Sequence, residues 1–219
     1  RSISQSCDVY YYRLAVDMGI DRMHDYLAQF GLGEKTGIDL DGESSGLLPS
    51  RDWKQRRFKQ PWYPGETVIA GIGQGYHLTT PLQLAGAAAM LANGGVRIEP
   101  RLVQAMRDPL THTWQPQPGG ARAQLAITPK HLEVVREGMM DVMRPGGTAA
   151  RSAAGAPYTM AGKTGTAQVV GIKQGARYDA SRLARKHLDH ALFIAYAPAE
   201  NPTIAVAVMV ENGGSGSGT

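Results

Sequence analysis

At 219 residues, 42% apolar and 19% charged, the chain is long enough for one large domain or two small ones with a real core. A net charge of +4, without a basic stripe interleaved with aromatic residues, gives no sign of a nucleic-acid partner. No apolar run is long enough to span a bilayer, Arg1 opens no signal peptide, and the single Cys7 rules out an internal disulfide.

The first elements read as helices. Asp8 is placed to cap a helix over Val9–Met18 that Gly19 ends. A second helix starts at Asp21, with Met23, Tyr26, Leu27 and Phe30 on one face, and stops at Gly31 and Gly33. Residues 34–50 are turn-rich, with short extended pieces at Thr36–Leu40 and Gly46–Leu48. Arg51–Lys59 is the most basic stretch and leads into Pro61-Trp-Tyr-Pro-Gly65. It reads as a solvated flap, with a surface for an anionic substrate or partner as the alternative.

Thr80-Pro81 opens an Ala- and Gly-rich helix that Asn93-Gly-Gly95 closes, and its small side chains suit a buried central position. Gly71-Ile-Gly-Gln-Gly75 before it is not a dinucleotide fingerprint, because Tyr76 takes the sixth position. Val96–Val103 reads as extended and 107–126 as a Pro/Gly-rich connection. Thr128-Pro129 caps a further helix with Leu132, Val135, Met139 and Val142 inward, broken by Pro145-Gly-Gly-Thr-Ala149. A polar, basic loop follows over 171–190. Ala191–Ala197 and Thr203–Val210 then read as two buried strands, and helices followed by neighbouring strands imply an α+β fold with helices on an antiparallel sheet.

Ahead of those strands, Ala161-Gly-Lys-Thr-Gly-Thr-Ala-Gln-Val169 reads as a strand with bare backbone at Gly162 and Gly165. Period-two alternation puts Thr164 and Thr166 on one face and Lys163 on the other. Hydroxyls, exposed amides and an ammonium together suit an extended peptide ending in a carboxylate. A phosphate-binding loop fails, because the glycine it requires is Pro157 and the sequence after Thr164 is extended rather than helical. A plain strand with a surface lysine stays open on these residues alone.

The wider constellation says more. Lys163-Thr164-Gly165 and Ser6-Cys7-Asp8 correspond to two parts of a signature made of Ser-x-x-Lys, Ser-x-Asn and Lys-Thr-Gly, with Asp8 where the pattern has Asn. With Gly73-Gln-Gly75, Thr80-Pro-Leu-Gln-Leu84, Asn93-Gly-Gly95, Gly147-Thr-Ala149 and Glu211-Asn-Gly-Gly214, the order resembles the transpeptidase domain of class B penicillin-binding proteins. The resemblance covers nearly the whole chain and is nearest to the penicillin-binding protein 2 branch of Gram-negative rod elongation.

The resemblance implies the penicillin-binding/β-lactamase-like transpeptidase fold. It also implies a serine-type D,D-transpeptidase that cross-links stem peptides ending in D-Ala-D-Ala at the periplasmic face of the inner membrane, inhibited by β-lactams. Partners so implied are a membrane glycosyltransferase and other elongation-complex proteins. Ser6 would relay protons to the leaving amine and Asp8 would hold the peptide or a neighbouring lysine. Lys163 would set a positive potential, and Thr164, Gly165 and Thr166 would bind the substrate carboxylate, with the Thr166 amide as an oxyanion donor. No cofactor is implied for the chemistry. Cys7 reads as a small buried thiol, or by resemblance as one ligand of a zinc site whose other ligands lie upstream; His24 is not recruited to it.

No Ser-x-x-Lys occurs in residues 1–219. The chain therefore reads as a partial transpeptidase domain, incomplete at both ends, mainly helical over 1–160 and three-stranded over 161–219. By itself it would be inactive. A non-catalytic module that binds carboxylates or β-lactams is the alternative from another class. A missing core helix would remove on the order of 10 kcal/mol of burial, which predicts an added chain or an open apolar groove beside Ser6 and the 80–92 helix.

Overall fold

The computed structural model describes residues 1–117, 119–171, 179 and 183–217. Most of the loop read over 171–190 lies outside the described residues. The N-terminal turn leads into α1 (Asp8–Met18), whose N-cap is Cys7, so Asp8 is a first-turn residue rather than the cap. Its carboxylate still faces the positive end of the helix. Gly19 closes α1 at φ 77°, and α2 (Ile20–Ala28) begins one residue before the expected start and ends ahead of Gly31. Ala15, Ile20 and Met23 pack with Ala70 in a small core between these helices.

The basic stretch is helix rather than a flap, and its charged side chains are exposed as expected except for Lys54. In α3 (Arg51–Phe58) the Ser50 hydroxyl accepts from the Trp53 amide at 3.1 Å, and Lys54 is only 1% exposed. A charged side chain can be buried there because Glu66 pairs with it and the Tyr63, Trp62 and Tyr76 rings surround it. Glu66 belongs to α4 (Pro64–Ala70), which the sequence reading left unassigned despite proline in the first turn and a capping glutamate.

The helix α5 (Pro81–Ala92) occupies the centre and packs on two strands of the main sheet. Thr80 and Gln83 form a reciprocal capping box, and the buried Gln83 amide also donates to the Glu34 and Ser45 carbonyls at 2.8 Å each. The piece read as extended over Val96–Val103 holds a short strand, and the stretch read as a connection carries others. β1 (Val96–Ile98) pairs with β4 (Ala121–Gln124), and β2 (Ala105–Arg107) with β3 (Trp114–Pro116). Their Pro and Gly content hid pairings only three or four residues long.

After α6 (Pro129–Val142) and the single turn α7 (Ala150–Ala153) comes the main sheet. It consists of β5 (Ala161–Ala167), β6 (His190–Ala197) and β7 (Ile204–Val210), antiparallel and in that order. The mixed helix-and-sheet architecture agrees with the expectation. Leu132, Met139 and Val142 of α6 are buried, and Met139 meets Ala92, Ala161 and Tyr196 in the core. Gly162 is required where it stands, because a Cβ there would lie 2.7 Å from the Phe193 ring and 2.8 Å from the Ile194 carbonyl.

One strand departs from its reading. β7 exposes Ile204, Val206, Val208 and Val210, so it is not a buried strand; among the described residues only one face of it is covered, where it packs on α5 and Ala205 joins the core. Apolar surface near Ser6 is present at the start of α1, at Val9. Along α5, Ala88, Met90 and Ala92 are buried under the sheet and α6, while Leu82, Leu84, Ala85 and Gly86 are only partly covered and a Cβ at Gly86 would meet open space.

Candidate active site

A cleft of about 530 Å3 lies between the helical part and the free edge of β5. Ser6, Asp8, Lys163, Thr164, Gly165 and Thr166, all named from the sequence, line it. The two segments that supply them are 157 residues apart, and one side chain joins them. Lys163 Nζ donates to Ser6 Oγ at 2.6 Å and to the Thr164 carbonyl at 2.8 Å.

That contact revises the face assignment made from alternation. Lys163 shares the cleft with Thr164 and Thr166 rather than pointing away from it. β5 ends the sheet, and a four-carbon stem can wrap around an unpaired edge in a way that a short side chain cannot.

Ser6 reaches the lysine from a backbone at φ 51°, the left-handed region that serine seldom adopts. The preceding turn imposes it: the Ser6 amide donates to Ile3 O and the Cys7 amide to Ser2 O, so the chain doubles back just before α1. Such strained positions concentrate at functional sites. Because an ammonium donates to Ser6 Oγ, the serine's own proton is free to point elsewhere in the cleft.

Burial holds the Lys163 pKa below its ordinary value, while the Asp8 carboxylate opposes that shift by favouring the cation. Within the same cleft, Thr148 and Thr164 share a hydrogen bond between hydroxyls at 3.0 Å. Thr148 is itself tied to the N-terminal turn, its amide donating to Ser4 O. Thr166 presents its carbonyl to the free edge, where Gln74 Nε2 donates to it at 2.5 Å. In an extended antiparallel strand one residue's N–H and C=O point the same way, so the Thr166 amide also faces the cleft.

Tyr11, Gly71, Ile72, Gln74, Thr148, Ser215 and Ser217 complete the lining, and none had been named as a site residue. Gln74 and Thr148 lay inside stretches already singled out, Gly73-Gln-Gly75 and Gly147-Thr-Ala149, which was the available signal. The serines carried none, because only the fold brings Gly216 against the Gly165 and Leu192 carbonyls.

Cys7 is exposed, so the buried-thiol reading is corrected: as helix cap it sits at the surface end of α1. Among the described residues no group of three or more His, Cys, Asp and Glu side chains could hold a metal. His24 is held elsewhere, with Nδ1 3.2 Å from the Pro49 carbonyl. A lone thiol does not fit a zinc ion that takes four ligands.

The family described as penicillin binding protein transpeptidase domain matches residues 1–219. The chain is 43% identical over 222 aligned residues to the peptidoglycan D,D-transpeptidase MrdA of Escherichia coli K12, covering 99% of this chain and 34% of the relative. It thus spans about a third of the length of the curated relatives it matches. The Pseudomonas aeruginosa PBP2 crystal structure in complex with WCK 5153 superposes with a TM-score of 0.84 at 44% identity, over 99% of this chain and 45% of that one. Helicobacter pylori PBP2, solved in complex with MreC, superposes with a TM-score of 0.80 at 34% identity, over 99% of this chain and 36% of that one. With the family matched from end to end and the cleft lined by its Ser-x-Asp and Lys-Thr-Gly segments, the chain belongs to the penicillin-binding protein transpeptidase family.

Proposed function

We propose that residues 1–219 form the substrate-holding side of a peptidoglycan D,D-transpeptidase that acts on stem peptides ending in D-Ala-D-Ala and is acylated by β-lactams. The bond from Lys163 to both Ser6 and the Thr164 carbonyl carries this reading, because it joins a proton-carrying hydroxyl to the edge of a strand built to pair with a peptide.

In this reading the substrate lies extended along β5. The Thr164 and Thr166 hydroxyls donate to its terminal carboxylate under the positive potential of Lys163, and the Thr166 N–H donates to the oxygen of the reacting carbonyl. A charge-assisted hydrogen bond of that kind contributes roughly 1.5–3 kcal/mol. As the carbonyl becomes tetrahedral its oxygen gains charge, and a fixed N–H aimed at it favours the transition state over the ground state. Ser6, accepting from Lys163, can turn its proton toward the departing nitrogen, and the lysine stabilises the serine oxygen as that proton leaves. Gly165 keeps the strand free of a side chain where the ligand approaches.

The acylated serine of this chemistry comes from a Ser-x-x-Lys element, which these residues do not contain. The reaction needs no cofactor, and nothing in the cleft calls for zinc. Work at the periplasmic face of the inner membrane follows from the substrate, and no helix among the described residues is long and apolar enough to cross a membrane. The Helicobacter relative's complex with MreC supports assembly with other proteins of cell-wall elongation. Peptide mapping of the full-length protein after treatment with a penicillin tests the assignment. One covalent adduct is expected on a serine outside residues 1–219. An adduct on Ser6, or reversible binding with no adduct, would overturn it.

Asp8 is assigned the task of keeping Lys163 charged in a partly buried site. Because the folded-state pKa of Lys163 lies below 10.5, the unfolded chain binds more protons just under that pH. The contribution of this lysine to stability therefore rises with pH through that window and is least favourable below it. Asp8→Asn removes the opposing charge and lowers the Lys163 pKa further. The alkaline limb of the acylation profile should move to lower pH in that variant. An unmoved limb, or one displaced upward, would refute the assignment.

A further inference from the structure

Gln74 touches β5 at one point and the residue just past its end at a second. Its Nε2 donates to the Thr166 carbonyl at 2.5 Å, and its Oε1 accepts from the Gln168 amide at 3.3 Å. Only this orientation of the amide satisfies both contacts, since the flipped one would face carbonyl to carbonyl. Both contacts lie on the strand's free edge, opposite β6. An amide that donates to one residue and accepts from the second one beyond it reproduces what one residue of a parallel neighbouring strand does with its N–H and its C=O.

The mount is rigid. Gln74 sits in a turn between Gly73 and Gly75, both at positive φ, and its amide donates to the Ile69 carbonyl. Gly71, at the root of that turn, lies so close to α1 that a Cβ would be 2.5 Å from the Ala15 methyl. Tyr76, on the other side, is locked among Trp53, Phe58 and Trp62. The amide is therefore held by the helical part while it bonds the sheet.

We propose that Gln74 is a positioning residue whose side-chain amide stands in for the N–H and C=O of one residue of a neighbouring strand. It closes the β5 edge beyond Thr166 and fixes the direction of the Thr166 N–H. Lys163 already occupies the Thr164 carbonyl on the same edge. Between these two ties the Thr166 N–H is left for an incoming carbonyl, and an extended ligand cannot slide further along the strand. The inference rests on the function proposed above and names the residue that aligns its oxyanion donor.

The test uses the full-length protein, the Gln74→Leu and Gln74→Glu variants, and stopped-flow acylation by a fluorescent penicillin. Both variants should acylate roughly tenfold to hundredfold more slowly at mildly alkaline pH, the range for a small misplacement of a reacting group. Resolved into steps, the loss should fall on acylation rather than on initial binding. As pH falls, the Gln74→Glu deficit relative to the parent should shrink. A protonated carboxyl can donate to Thr166 O and accept from the Gln168 N–H, as the amide did. The Gln74→Leu deficit should stay constant. Asp8, Tyr11 and Lys163, the other ionisable groups lining the cleft, are present in the parent and in both variants, so the ratio to the parent removes their effect. Parent-like rates in both variants, or deficits that run parallel across pH, would overturn the proposal. A parent that fails to acylate would instead overturn the function itself. Should Gln74→Glu melt below the assay temperature, the step at which Gln74→Leu loses rate decides: loss confined to binding overturns the proposal.

Discussion

Lys163→Met in the full-length protein is expected to slow acylation by a fluorescent penicillin roughly 10²–10³-fold, the usual cost of removing one fixed donor from a developing negative charge. The methionine stem keeps the volume and the path around the β5 edge, so the loss reports the ammonium rather than packing. Two bonds disappear together, to Ser6 Oγ and to the Thr164 carbonyl. Ser6 would then lose the donor that orients its own proton, and the carboxylate site would lose its positive potential. Lys163→Arg is not expected to rescue, because a planar guanidinium cannot direct two bonds at this spacing as a rotating ammonium does. An acylation rate near the parent's in Lys163→Met, with the melting temperature unchanged, would sink the proposed role.

The largest effect on stability is expected far from that chemistry, at Glu66→Ala. Lys54 is 1% exposed and Glu66 21% exposed, and the two form an ion pair beside three aromatic rings. Removing the carboxylate leaves a buried ammonium without its counter-charge, which costs about 3–5 kcal/mol. It also removes the acceptor for the Tyr63 amide at 2.8 Å, the cap of α4. At roughly 2–4 °C per kcal/mol for a domain of this size, the transpeptidase unfolding transition should fall by about 6–20 °C. Lys54→Met should cost clearly less. Its apolar side chain fits the ring cage, and Glu66, left alone, still reaches solvent. Thermal melts of the two variants under one condition decide the point, and equal losses or the reverse order would refute this account.

These two residues also mark how much the sequence could say. Lys163 was legible because its neighbours are sequence-local: a strand pattern, two glycines and two threonines around one cation. Lys54 was not. In a run of Arg and Lys it has the composition of a solvated face, and its burial depends on Glu66, Trp62, Tyr63 and Tyr76, which a later helix and turn deliver. The short strands at 114–116 and 121–124 were missed for a related reason, since each is too short to show a period before its partner is known.

For the cleft, the Ser6-Cys-Asp8 and Lys163-Thr-Gly-Thr166 segments determined which hydroxyls, which carboxylate and which ammonium were available, because side-chain chemistry is written in the residues themselves. That Lys163 would bend around the strand edge to Ser6 could not be read from alternation, which assumes that a side chain stays on its own face. Only the sheet order decided it, by leaving β5 without a neighbouring strand on one side among the described residues. The same open edge made room for Gln74, whose role depends on two backbone groups more than ninety positions away. Local sequence supplied the donors and acceptors; their pairing across the cleft is a property of the tertiary structure, because distances between remote segments are set by packing and not by spacing along the chain.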